Sequence, residues 1–239
     1  MNEFHRNFVL QLRHDAANDG RWLTFGMPPQ RAYCNNPRLG DERQVESVYA
    51  AEVLRRYLWA RPRALVLHGL DCGASKSPEA VRIQNAWRGC HIEWSAADIN
   101  EVTADIYTET WQGCIGDMPA EEWGDFDFVL AVSTVEHSDF VDDSTEAALG
   151  ALHRALSLDG VLVLTLPIGV GMQGPDFEQY PPEVAQLMLS RFKVVHERFW
   201  RWNGEHFENC LAEDTKGCIY GHTNGAACAA AVGAWVLAR

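Results

Sequence analysis

The stretch FDFVLAVSTVEH, Phe126 to His137, is an apolar run that ends on an acid and an imidazole. Folding alone does not ask for that ending. Glu136 beside His137 suits proton transfer near neutral pH, where imidazole titrates; the structural alternatives are a helix cap for Glu136 and a pocket wall for His137. Asp98 closes HIEWSAAD, and an acid in that place accepts hydrogen bonds from both hydroxyls of a ribose, or else caps the backbone from Asn100 onward. HGLDCGAS (68–75) carries Gly69, Asp71 and Gly73, a turn in which backbone can come close to a ligand or simply join a strand to a helix. His206-x3-Cys210 and Cys218-x3-His222 would each share a face if helical, and two His with two Cys suit tetrahedral zinc. That spacing matches no zinc pattern and free cysteines pack as core, so no metal is assigned. Trp200 and Trp202 lie upstream of these pairs and read as core or as a substrate wall.

These residues need elements to hold them. Val45, Val48, Tyr49, Val53, Leu54, Tyr57 and Leu58 form one helical stripe that Pro62 ends. Beyond it, strands are expected at 63–69, 91–98, 114–117, 125–133 and 161–167, with helices at 78–88 and 143–157 between them. Leu149, Leu152 and Leu156 share one face of the second helix, and Asp159-Gly160 turns the chain into the fifth strand. Near-continuous apolar strands alternating with helices specify a parallel sheet covered on both faces. Ligands bind such a sheet beyond the carboxyl ends of its strands, where Asp98, Asp117, Glu136 and the 68–75 turn all fall. Later come a helix at 181–191, an alternating strand at 192–200, an irregular stretch from Glu205 to Gly225, and a closing strand. Residues 1 to 40 are the least regular part, and GMPPQRAYCNNPRLGD within them reads as a loop.

The 239 residues suit a single domain: an N-terminal cap and helix (1–60), a cofactor-binding core (61–170), and substrate-side decoration with the last strands (171–239). Seven cysteines, an odd number without C-x-x-C, argue against a disulfide framework. A formal net charge of −13 with scattered basic residues argues against nucleic acid. No apolar run approaches the ~20 residues of a membrane span, and the N-terminus lacks a signal-peptide pattern, so a cytoplasmic location is expected.

The order and spacing across roughly 63 to 170 resemble the class I S-adenosyl-L-methionine-dependent methyltransferases. They are most similar to a bacterial group whose fourth strand reads F-D-x-V-x-x-x-S-T-[VI]-E-H. That group follows it with L-x-x-D/G-G-x-L-x-L-T-x-P-x-G, which is LSLDGVLVLTLPIG here. FKVVHERFW is similar to its sixth strand. The resemblance implies a Rossmann-like three-layer sandwich with a mostly parallel seven-stranded sheet and a terminal antiparallel strand. It implies S-adenosyl-L-methionine as cofactor and a methyl transfer for which His137, with Glu136, lies beside the reacting group. Asp98 would hold the ribose, Asp117 the adenine amino group, Met118 the adenine face, and Ser133 would open the loop at the methyl group. The family turn is acid-x-Gly-x-Gly-x-Gly. Setting Cys72-Gly73 on its Cys-Gly puts Asp71 on the first glycine and Gly69 on the acid. Asp71 then meets the cofactor ammonium, repels its carboxylate, or fills the pocket. The implied acceptor is a small molecule or glycan, with a homodimer allowed and no nucleic-acid or membrane partner. The alternative is a catalytically degenerate binding or scaffold protein on the same fold; a nucleotide oxidoreductase would want an intact G-x-G-x-x-G, which is absent.

Overall fold

The structure is a computed structural model that describes residues 8, 42–60, 66–75, 79–86, 92–141, 144–174, 177–223, 226–228 and 230–239. The expected loop before Asp41, the first residues of 63–69 and the helix end near Gly89 lie outside the described residues. The described elements are α1 (Arg43–Ala60), β1 (Leu67–Cys72), α2 (Glu79–Ala86), β2 (Ile92–Asp98), β3 (Tyr107–Gln112), α3 (Ala120–Trp123) and β4 (Phe126–Val132). They continue with α4 (Thr145–Ala155), β5 (Leu156–Pro167), α5 (Pro182–Met188), β6 (Lys193–Trp202), β7 (Phe207–Cys210) and β8 (Ala231–Ala238). Two small ladders, 172–173 with 178–179 and 221–223 with 226–228, stand outside the main sheet.

The main sheet runs β3-β2-β1-β4-β5-β8-β6-β7. The first five strands are mutually parallel. β8, the last strand in the chain, pairs antiparallel with both β5 and β6. An eighth strand, β7, adds antiparallel to the end of β6, in a stretch whose polar sequence reads as irregular. The expected seven strands are thus extended by one short edge strand.

The apolar runs explain the layering. Along β4, Phe128 and Leu130 face one side and Val129 and Ala131 the other, and all four are fully buried. The first side packs with Leu54 and Tyr57 of α1, Ile83 of α2 and Trp94 of β2. The second packs with Leu149 and Leu152 of α4, Leu164 of β5 and Trp235 of β8. α1 is buried beyond its expected stripe: Glu46, Ser47, Glu52 and Arg56 are also enclosed. Buried charge needs a partner, and Glu52 has Arg56 at 2.9 Å and Arg55 beside it. α4 starts where Ser144 Oγ accepts from the Ala147 amide at 3.0 Å.

Two expected strands differ. The third is Tyr107–Gln112 rather than 114–117, because β3 is a polar, exposed edge strand with no apolar run, while 115–117 forms a short 3-10 turn. The first is displaced towards its C-terminal end, so Gly69 and Asp71 lie within β1 and not in the turn after it. At the other end, Leu156 opens β5 instead of closing α4, and Asp159 and Gly160 lie inside that strand.

Candidate active site

The parallel strands all present their carboxyl ends on one edge, and β1 lies between β2 and β4, where the strand order reverses. At this point β1 runs into Gly73-Ala74-Ser75. Gly73 has φ 78°, a left-handed backbone, and its amide donates to the Ala97 carbonyl at 2.8 Å. A Cβ at Gly73 would lie 2.4 Å from Thr134 Oγ1, so the turn and the β4 loop touch with no room for a side chain. Thr134 completes the contact from its side, with its hydroxyl 3.1 Å from the Cys72 carbonyl.

Asp98 joins two of these strand ends. Its Oδ2 accepts from the Ser75 amide at 2.9 Å, and its Oδ1 accepts from the Asn100 amide at 2.8 Å and the Asn100 side chain at 3.2 Å. The cap among its expected alternatives is therefore present, and the same carboxylate reaches across to the Ser75 amide.

β4 ends in Ser133, another left-handed residue with φ 44°. Its amide donates to the buried Thr165 hydroxyl at 2.9 Å. Its own hydroxyl donates to Glu46 of α1, lying 2.7 Å and 2.9 Å from the two carboxylate oxygens. A non-glycine residue in that conformation costs roughly 1–3 kcal/mol and persists where its surroundings over-determine it, as these two contacts do. Val135–Phe140 then coil as a 3-10 turn carrying Glu136 and His137. Glu136 is buried, His137 is 46% exposed, and His137 Nε2 lies 4.0 Å from Glu136 Oε1. Asp139 fixes the end of the turn by accepting from the Thr145 hydroxyl at 2.8 Å, and Tyr180 OH lies 3.1 Å from that hydroxyl. A cavity of about 70 Å³ opens here, lined by Glu42, Glu46, Ser133, Glu136, His137, Pro167, Phe177 and Tyr220.

No family model and no curated protein matches the sequence. Solved structures do match. A carbon methyltransferase, DszA, superposes at TM-score 0.55 with 13% identity over 87% of this chain and 56% of its own. The CurJ carbon methyltransferase gives TM-score 0.52 with 12% identity over 98% of this chain and 66% of its own. The citrinin polyketide synthase CMeT domain gives TM-score 0.52 with 14% identity over 98% and 65%. The fold is that of the class I S-adenosylmethionine-dependent methyltransferases. The chain spans slightly under two thirds of the CurJ and citrinin synthase chains and a smaller share of DszA.

On this methyltransferase fold the expected site residues separate into two sets. Gly73, Asp98, Ser133, Glu136 and His137 gather at the strand ends. Asp117 is exposed at the close of its 3-10 turn. Three others take structural places in the fold. Gly69 sits mid-strand against Trp94, whose ring carbon would be 2.5 Å from a Cβ there, so this glycine makes room for an indole. Asp71 is buried, and its Oδ2 accepts from the Ala80 amide at 2.8 Å and Tyr107 OH at 2.7 Å, which ties that oxygen to the first turn of α2 and to β3. Its charge and burial push the Tyr107 hydroxyl upward, burial being the larger cause, and burial with Asp71 and Asp98 also pushes the Cys72 thiol up. Met118 packs in the core beside Ile115 and Ala120 and is 3% exposed, so it presents no face to an adenine.

The His/Cys pairs do not form helical faces, because Cys210 lies on β7 and His222 on a short strand. Among the described residues no group of three metal-ligating side chains assembles. Burial, with Asp214 beside it, pushes the Cys210 thiol up to about 12. Trp200 is core, packed edge-on against Tyr49, and Trp202 packs on Phe207. Among the described residues no helix is long and apolar enough to cross a membrane.

Glu42, Glu46, Phe177 and Tyr220 carry no sequence signal that marks them as site residues. Glu46 reads as a polar position on an amphipathic helix, and only its complete burial against Ser133 reveals it.

Proposed function

We propose that this protein is an S-adenosylmethionine-dependent methyltransferase acting on a small molecule or glycan. The observation that carries the reading is the meeting of Gly73, Asp98, and the Ser133–His137 turn at the switch point of a methyltransferase sheet. The residues suit the cofactor. The left-handed turn at Gly73 leaves backbone bare of side chain, and Asp98 offers a carboxylate at the end of β2. When bound, the cofactor supplies an electrophilic methyl group on a sulfonium.

The chain's own residues supply position and proton transfer. Asp98 already uses about three of the roughly four acceptor positions of a carboxylate. Asp98 would hold a ribose hydroxyl through its remaining acceptor position, and a second one in place of the Asn100 side-chain amide. His137, half in solvent at the cavity mouth, accepts a proton from the acceptor, and Glu136 holds positive charge on that imidazole. Fixing the acceptor in line with the methyl group supplies most of the rate.

A second reading, a binding or scaffold protein that has lost catalysis, is favoured by Asp71 and Ser75 standing where the family turn has glycines. Calorimetry with S-adenosylhomocysteine tests the first: micromolar binding is expected, and no binding at millimolar ligand refutes it.

A further inference from the structure

We propose that the cavity at the ends of β4 and β5 selects an amine acceptor, entering as its ammonium form. This rests on the methyltransferase reading and names the substrate class for that same site. The cavity is placed by the fold: Ser133, Glu136 and His137 come from the β4 end and Pro167 from the β5 end, with α1 closing it through Glu42 and Glu46. About 70 Å³ admits one small functional group, not a whole sugar ring. Phe177 and Tyr220 form another wall, their ring centroids 3.9 Å apart at 33°, and aromatic faces attract cations. Two buried carboxylates, Glu46 and Glu136, come from different elements and line the same space. Carboxylates facing one small volume repel an anionic acceptor and favour a cation. A neutral hydroxyl gains least from this lining, whereas an ammonium gains from both the carboxylates and the rings.

The chemistry balances without a further reactant. The ammonium gives one proton to His137 or a lining carboxylate, which frees the nitrogen lone pair. That pair forms the new bond to the methyl carbon as the carbon–sulfur bond breaks, and the electrons of the broken bond stay on sulfur as a neutral thioether. The product is an N-methylammonium, which keeps its positive charge on release or loses a proton to solvent.

The test compares two probes that share the adenosyl frame. Sinefungin has a carbon in place of the sulfur and an amine in place of the transferred methyl group, aimed at the acceptor side, while S-adenosylhomocysteine has a neutral thioether and no group there. Calorimetry on the full chain at pH 7 is expected to show sinefungin binding ~10-fold or more tighter, the size of a charge-assisted contact. Glu46→Gln should shrink that ratio, read within the variant as sinefungin affinity against S-adenosylhomocysteine affinity. Native protein that binds S-adenosylhomocysteine but gives sinefungin no advantage overturns the amine assignment alone, and this arm needs no variant to fold. Binding of neither probe overturns the methyltransferase reading beneath it.

Discussion

Replacing Asp98 tests whether one carboxylate both ties the sheet edge together and receives the ribose. In Asp98→Ala the amides of Ser75 and Asn100 lose their acceptor, at 2.9 Å and 2.8 Å respectively. Leaving a buried or half-buried donor unsatisfied costs about 1–3 kcal/mol, so the pair loses about 2–4 kcal/mol after partial rescue by water. For a chain of this length that lowers the unfolding midpoint by roughly 5–15 °C. Asp98→Asn keeps one oxygen but turns an amide donor toward the other backbone N–H, and about half of the loss is expected. Binding should fall further than stability, because the ribose hydroxyls lose a charged acceptor worth ~10-fold or more in affinity. Thermal unfolding with and without S-adenosylhomocysteine measures the first effect, and calorimetry the second. An Asp98→Ala protein that unfolds at the native midpoint and binds S-adenosylhomocysteine with native affinity refutes both parts of the reasoning.

Two further outcomes follow from the packing around the site. Gly73→Ala forces a side chain into a left-handed backbone, at about 1–3 kcal/mol, and drives its Cβ into Thr134; adding Thr134→Ala should recover the collision but not the backbone cost, measured as a double-mutant cycle in urea. His196 is buried with its Nδ1 2.8 Å from Tyr49 OH, and burial, with Arg198 and Arg56 nearby, lowers its pKa to about 4. The unfolded chain therefore binds the extra proton between about pH 6.5 and 4. This contribution to stability is complete above about 6.5 and is lost as pH falls toward 4, by about 3 kcal/mol in all. Urea unfolding of His196→Gln should show a flatter dependence across that window, and an equal slope in both proteins would contradict the assignment.

Local pattern and tertiary contact decided different parts of this protein. β4 and the apolar half of β5 were legible because residues buried on both faces leave continuous apolar runs, and chain order then placed Asp98, Ser133, Glu136 and His137 at strand ends. Gly73 was legible for the same reason, as a glycine just past a strand. β3 was not, since an exposed edge strand such as YTETWQ needs no apolar side chains. Nor was the shift of β1 that places Gly69 beneath Trp94 and Asp71 on α2, because both fits depend on neighbours brought in from other elements. The place of Met118 in the core beside Ile115 and Ala120 likewise depends on how its turn packs. The sharpest case is Glu46: its contact with Ser133 spans 87 residues, and no local propensity relates two polar side chains at that distance. The sequence by itself determined which polar residues stand at the strand ends. Only the packing of α1 across the sheet decided that a second carboxylate faces the same cavity, because burial is a property of the assembled layers and not of either segment.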